Sequence, residues 1–233
     1  GFILTHAVER VDMPTQEQVD AYLPPFEPRQ VLDPAQPVSI GAMVGPEAFM
    51  EVRYLAHVKQ MQALELIPAW SQQFRDAFGR EAGGLVRGYR LEDADTVIVA
   101  LGSVLGTLKD TVDALREKGR NVGVLGVGCF RPWPHEAVRG ALTGVKHVVV
   151  LEKSLAVGVG VIVSTNVRTA LAGRGVAVQT VIAGLGGRPI TRASLAKMIE
   201  AADDERLESV TFLDLDHGAV ERVLAREREV RRS

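Results

Sequence analysis

The run Gly184-Leu185-Gly186-Gly187-Arg188-Pro189-Ile190-Thr191 holds the residues best suited to meet a ligand. Glycines let a backbone approach a bound group, and the Arg188 guanidinium can pair with a carboxylate or phosphate. The run lies between a strand pattern and a helix pattern, where free amides and the helix dipole favour an anion. Gly186, Gly187 and Arg188 are therefore candidate ligand contacts. The same residues would also serve a plain connection of positive φ with Thr191 as the N-cap, and on physics alone that reading is preferred.

Two further strand-to-helix junctions carry polar candidates. Gly102-Ser103-Val104-Leu105-Gly106-Thr107-Leu108-Lys109 resembles a phosphate loop only loosely, because the lysine neither follows the second glycine nor precedes Ser or Thr. Ser103 and Thr107 stay as contact candidates, although a helix-capping role explains them better. Gly158-Val159-Gly160 lacks the third glycine of a dinucleotide fingerprint and follows the third strand pattern rather than the first. In Cys129-Phe130-Arg131-Pro132-Trp133-Pro134-His135, Arg131 and His135 stand where open α/β sheets gather ligands. Trp133 there offers a rigid surface suited to a subunit contact. A structural turn fits the segment equally well.

No self-sufficient reaction centre emerges. The five histidines lack metal-ligand spacing, and no Gly-x-Ser-x-Gly nucleophile elbow occurs. The acidic runs at 203–205 and 214–216 read as solvated surface. Cys129 is the single cysteine, so no intrachain disulfide forms and no iron–sulfur cluster is held by this chain alone. No catalytic residue and no metal ligand is assigned. A net charge of −2 gives no electrostatic case for nucleic acid or an anionic membrane. The apolar runs are of strand length, well short of a membrane span.

The elements that would position these loops can be read from periodicity. Up to residue 37 the chain is punctuated by six prolines and reads as an extended arm, with one short helical turn at 16–21. From Pro46 a long helix runs with Met50, Tyr54, Val58 and Met61 at helical spacing. Pro68 should break or kink it, and Trp70, Phe74 and Phe78 then form an aromatic stripe for core or helix–helix packing. Strands without polar alternation follow at 96–101, 121–127, 145–151 and 176–182, with helices at 108–117, from His135, at 161–171 and at 192–201. A short edge strand at 210–213 and a docked terminal helix at 218–230 complete the pattern. This predicts an α/β fold, three-layered, with a mostly parallel sheet and helices on both faces.

Several segments, in this order, are similar to the 2-oxoacid:ferredoxin oxidoreductases, including pyruvate:ferredoxin oxidoreductase. They are the opening Gly1-Phe2-Ile3-Leu4-Thr5-His6-Ala7-Val8-Glu9, Phe78-Gly79-Arg80, residues 94–106, Phe130-Arg131-Pro132-Trp133-Pro134 and 184–191. The family often has Phe where Trp133 stands and Asp where Pro189 stands. The resemblance implies the C-terminal portion of an α subunit: 1–37 an arm trailing from a pyrimidine-binding domain, 38–88 a linker and long helix, 89–233 a transketolase C-terminal-like domain. It implies oxidative decarboxylation of a 2-oxoacid, such as pyruvate, to acyl-CoA and CO2, with ferredoxin as acceptor. Thiamine diphosphate, Mg, iron–sulfur clusters and CoA would belong to the complete enzyme, and a β subunit and other subunits would be the partners. The location implied is cytoplasmic. The absence of a leading methionine suggests a chain that begins inside a longer protein. The alternatives are a non-catalytic assembly or regulatory module of the same fold and a stand-alone nucleotide-binding α/β protein.

Overall fold

A computed structural model describes residues 11–41 and 43–231. The opening segment that contributes to the family resemblance lies outside the described residues, as do Phe2, Ile3 and Leu4 of the arm. The chain divides into two compact units, Gly1–Gly84 and Leu85–Ser233.

In the first unit, helix α1 (Gln16–Tyr22) starts from Thr15, whose hydroxyl accepts from the Gln18 amide while the Gln18 side chain answers the Thr15 amide. That reciprocal box satisfies two donors that a helix start otherwise leaves bare. Helix α2 (Phe49–Phe78) is 30 residues long and Gly79 closes it, its amide bonded to the Arg75 carbonyl. Pro46 lies in the turn before α2 rather than in its first turn. The helix continues through Pro68, so the expected break is not there. The proline removes one amide bond, and the turns on either side keep their own. Tyr22 of α1 packs edge-on against Phe74 and Phe78 of α2, ring centroids 5.9 and 5.1 Å apart. Those two rings bear out helix–helix packing for the stripe, whereas Trp70 is 57% exposed.

The second unit is built on runs of β-branched and aliphatic residues with no polar face, which are stable only as strands covered on both sides. Strands β2 (Thr96–Ala100) and β3 (Val122–Val127) are buried at every position. β4 (His147–Glu152), β5 (Ala177–Ile182) and the short β6 (Val210–Phe212) extend the sheet. A further strand, β1 (Val86–Tyr89), was not expected; it pairs antiparallel with β3. The six strands run in the order β1-β3-β2-β4-β5-β6, and every pair beyond the first is parallel.

Helices α3 (Val104–Arg116) and α6 (Arg192–Asp203) cover one face. Their Leu108, Val112, Leu115, Leu195 and Ile199 pack on Ile98, Val124, Val149 and Val181. Helices α4 (His135–Ala141) and α5 (Val163–Ala170) cover the other face, packing Val138 and Val167 on Val97, Val99, Leu125 and Val148. The alternation of the strand residues between two separate cores is what makes three layers. Helix α7 (His217–Val230) buries no side chain, and Val220, Val223 and Leu224 stay exposed. The expected docking of this helix is not observed within the unit. No described helix is long and apolar enough to cross a membrane.

Candidate functional site

Because β2 through β6 are parallel, the loops after them leave from one edge of the sheet. β2 leads to β3 on one side, and β4 lies on the other side of β2, continuing outward to β5 and β6. The direction of winding therefore reverses between β2 and β4, the place where open sheets of this class hold ligands. The fold brings Ser103, Arg131 and the 184–188 loop to this edge, with Thr107 one turn into α3 and His135 at the start of α4. It does not converge them. β3 and β5 are three strand spacings apart, roughly 14 Å, so Arg131 and Arg188 belong to different ends of the edge.

The glycine loop is built for its own geometry. Gly184, Gly186 and Gly187 have φ of 68°, 65° and 85°, a conformation that side chains with a Cβ rarely adopt. The amides of Gly187 and Arg188 donate within the loop, to the carbonyls of Gly184 and Leu185. The Arg188 guanidinium donates to the Asp214 carbonyl and so ties the loop to the turn after β6. Thr191 caps α6, accepting from the Ser194 amide at 3.1 Å, as the sequence suggested. A cleft of about 160 Å³ opens here, lined by Gly184, Leu185, Arg188, Phe212, Leu213 and Leu215. Ligand pockets usually enclose about 300–1,000 Å³. The loop's donors and its arginine are thus mostly committed to holding the connection.

The other candidates differ in what their side chains meet. Ser103 stands at the N-cap position with helical dihedrals and makes no side-chain cap bond, because a cap needs extended geometry there. The capping expectation for Ser103 is therefore corrected. The Thr107 carbonyl accepts from the Thr111 hydroxyl at 2.7 Å. Arg131 folds back on its own neighbour: Nη1 donates to the Phe130 carbonyl at 2.7 Å, and Cζ lies 4.1 Å from the Phe130 ring centroid. The His135 amide donates to the Trp133 carbonyl at 3.0 Å. Trp133 is only 6% exposed and packs in the core beside Val138 and Leu142. It is not the subunit-contact surface expected of it, since the loop turns the indole inward.

The edge also holds a residue that sequence reasoning passed over. Glu152, the last residue of β4, is 2% exposed and accepts from the Ser164 amide at 2.6 Å. A carboxylate from the chain itself thus sits on the first turn of α5, where an anion would otherwise be favoured. The signal available was a charged residue ending an apolar strand just before a glycine-rich loop.

The acidic runs are not simply solvated. Arg120 bridges Asp203 and Asp204 at 2.7 and 2.6 Å, and Asp216 caps α7 through the Ala219 amide at 2.9 Å. Hydrogen bonds first from Arg120 and then from Arg206 hold the Asp204 carboxyl down to about 2. Among the described residues no group of three His, Cys, Asp or Glu side chains could hold a metal ion, and Cys129 is buried.

Residues 94–195 match the family described as pyruvate:ferredoxin oxidoreductase core domain II. The chain is 41% identical over 215 residues to pyruvate synthase subunit PorA of Methanothermobacter thermautotrophicus, covering 92% of this chain and 55% of that protein. It is 37% identical over 194 residues to ketoisovalerate oxidoreductase subunit VorA of Pyrococcus horikoshii, covering 82% of this chain and 49% of that protein. The chain thus spans about half the length of the curated relatives it matches. Among solved structures it is similar to a 2-oxoglutarate:ferredoxin oxidoreductase from Magnetococcus marinus, at 18% identity and a TM-score of 0.40 over 60% of this chain and 23% of that one. A split gene transketolase gives 21% identity and a TM-score of 0.40 over 54% and 43%.

Proposed function

The chain belongs to the pyruvate:ferredoxin oxidoreductase family, and on that premise we propose that it is part of the α subunit of an enzyme converting pyruvate and CoA to acetyl-CoA and CO2, with ferredoxin as acceptor. The observation that carries this is the 41% identity to a pyruvate synthase subunit across 92% of the chain. Pyruvate is preferred to a branched oxoacid because the pyruvate synthase relative is the more similar of the two, 41% against 37%.

The role proposed for this portion is assembly of the subunits and shaping of the site. The polar groups at the carboxyl edge support it, since Arg188, Arg131 and the 184–188 amides are mostly engaged with the chain's own backbone. In the complete enzyme thiamine diphosphate with Mg would supply the carbanion chemistry, and iron–sulfur clusters the electron path. The described residues do not fit either group, with one buried cysteine and no metal-capable cluster, and no reaction step is assigned to them. Within this reading 1–37 is an arm, the segment from 38 a connection with the long helix, and the α/β domain, expected from 89, takes in the whole of β1 from Val86. A β subunit and ferredoxin are the partners, and the setting is cytoplasmic.

The test is reconstitution. The complete α polypeptide, expressed with its companion subunits, should reduce ferredoxin only with both pyruvate and CoA, and the 233-residue chain alone should do nothing. Turnover by the isolated chain, or an assembly indifferent to pyruvate, would overturn the proposal.

A further inference from the structure

We infer that the apolar part of the loop between β4 and α5, residues 155–162, is a rigid prong that inserts into an uncharged apolar cleft on a companion polypeptide of the oxidoreductase. The inference rests on the functional reading above and names a contact that the reading leaves open.

From Leu155 to Ile162 the loop has no polar side chain. Val157 is 90% and Val159 88% exposed, the most exposed valines of the second unit. Single exposed apolar residues need no explanation, but two on one tip, in an eight-residue stretch (155–162) without a charge, form a patch that does.

The loop is also held in shape. At the tip the Ala156 amide donates to the Gly160 carbonyl and the Gly160 amide to the Ala156 carbonyl, both at 2.8 Å, with the Val159 amide adding a bond to Ala156 at 2.9 Å. Gly158 and Gly160 take φ of 76° and 119°, which permits so tight a turn and keeps side chains other than the valines off it. At the base the buried Glu152 carboxylate accepts from the Ser164 amide at 2.6 Å, joining the residue before the loop to the helix after it. A charge-assisted bond shielded from water is stronger than a neutral one. A loop so fastened loses little freedom on binding, which favours a docking role.

β4 lies between β2 and β5, so the loop leaves the sheet edge between the segments that carry Leu101 and Leu185, which are 38% and 42% exposed. The uncharged stretch selects an uncharged cleft, since a buried unpaired charge opposite it would be penalised. Tip-to-tip contact of two copies would bury little more than two valines each, far below the ~1,600 Å² of a stable interface. A bilayer is a poorer host, because even a single myristoyl chain binds one only marginally. The relatives are named as subunits, which implies companion polypeptides. A companion polypeptide is therefore the occupant to which this reading commits.

The test introduces Val157→Cys into the complete α polypeptide and follows maleimide modification of residue 157 by peptide mass spectrometry. Modification should be at least tenfold slower in the assembled enzyme than in the free polypeptide. A paired variant, Val157→Asp with Val159→Asp, should weaken assembly at least tenfold with an unchanged circular dichroism spectrum. An assembly that forms with residue 157 fully reactive overturns the prong and leaves the functional reading standing. Failure to assemble with any companion subunit overturns both. Protection already present in the dilute free polypeptide, appearing as its concentration rises, or appearing on adding phosphatidylcholine–phosphatidylglycerol vesicles overturns the inference in favour of the rest of the same polypeptide, a second copy or a bilayer, respectively.

Discussion

Arg120 Nη1 lies 2.7 Å from Asp203 Oδ2, joining the turn two residues before β3 to the last residue of α6. The other Asp203 oxygen accepts from the Thr96 hydroxyl at 3.0 Å, where β2 begins. Asp204 beside it takes Arg120 and Arg206 at 2.6 and 2.8 Å. One arginine thus fastens the amino edge of the sheet to a covering helix.

This cluster predicts a defined acid response. The Asp204 carboxyl is held at about 2 against an ordinary 3.8, so its folded value is depressed. Its contribution is fully present above about pH 4 and is lost as pH falls towards 2. Arg120→Met removes the largest cause of the shift. Urea unfolding at pH 7 and at pH 2.5 should therefore show a smaller loss of stability for the variant than for the parent chain. Equal losses would show that the pair contributes nothing to the folded state.

Trp133 should behave as a core residue. Trp133→Ala is expected to cost about 3–5 kcal/mol, the range for truncating a buried aromatic. Trp70→Ala, at an exposed helix position, should change the stability of the isolated chain by no more than about 0.5 kcal/mol. Denaturant titrations of both variants check the contrast.

Two glycines should respond with opposite sign. A Cβ on Gly123 of β3 would meet the Arg90 carbonyl oxygen at 2.5 Å, a backbone atom that cannot rotate aside. Gly123→Ala should cost about 1–3 kcal/mol. At Gly140 in α4 a Cβ meets nothing within 4 Å, and Gly140→Ala should stabilise by about 0.4–1 kcal/mol. Thermal midpoints of the two proteins, moving in opposite directions, are the readout.

Capping separates Thr191 from Ser103. Thr191→Ala removes the bond to the Ser194 amide and should cost about 1 kcal/mol. Ser103→Ala removes no cap bond and should be neutral within about 0.5 kcal/mol. Equal costs for both would contradict the helix starts described here.

The sequence alone determined the strands of the parallel sheet and the helices between them, because both signals are local. A run such as Thr96-Val97-Ile98-Val99-Ala100 has no polar face to give to water, and Leu108, Val112 and Leu115 recur at the spacing of a helix face. The Thr191 cap was legible for the same reason. Tertiary structure decided what depends on partners distant in the chain. Val86–Tyr89, with Arg87 and Gly88 inside it, is a strand only because β3 offers it an edge. Trp133 turned inward because α4 supplied a core to receive it. Arg188 found its acceptor 26 residues away, on Asp214, and Glu152 found Ser164 across the loop. Local periodicity records which face of an element avoids water; the partner a polar group will meet is settled only when separate elements pack.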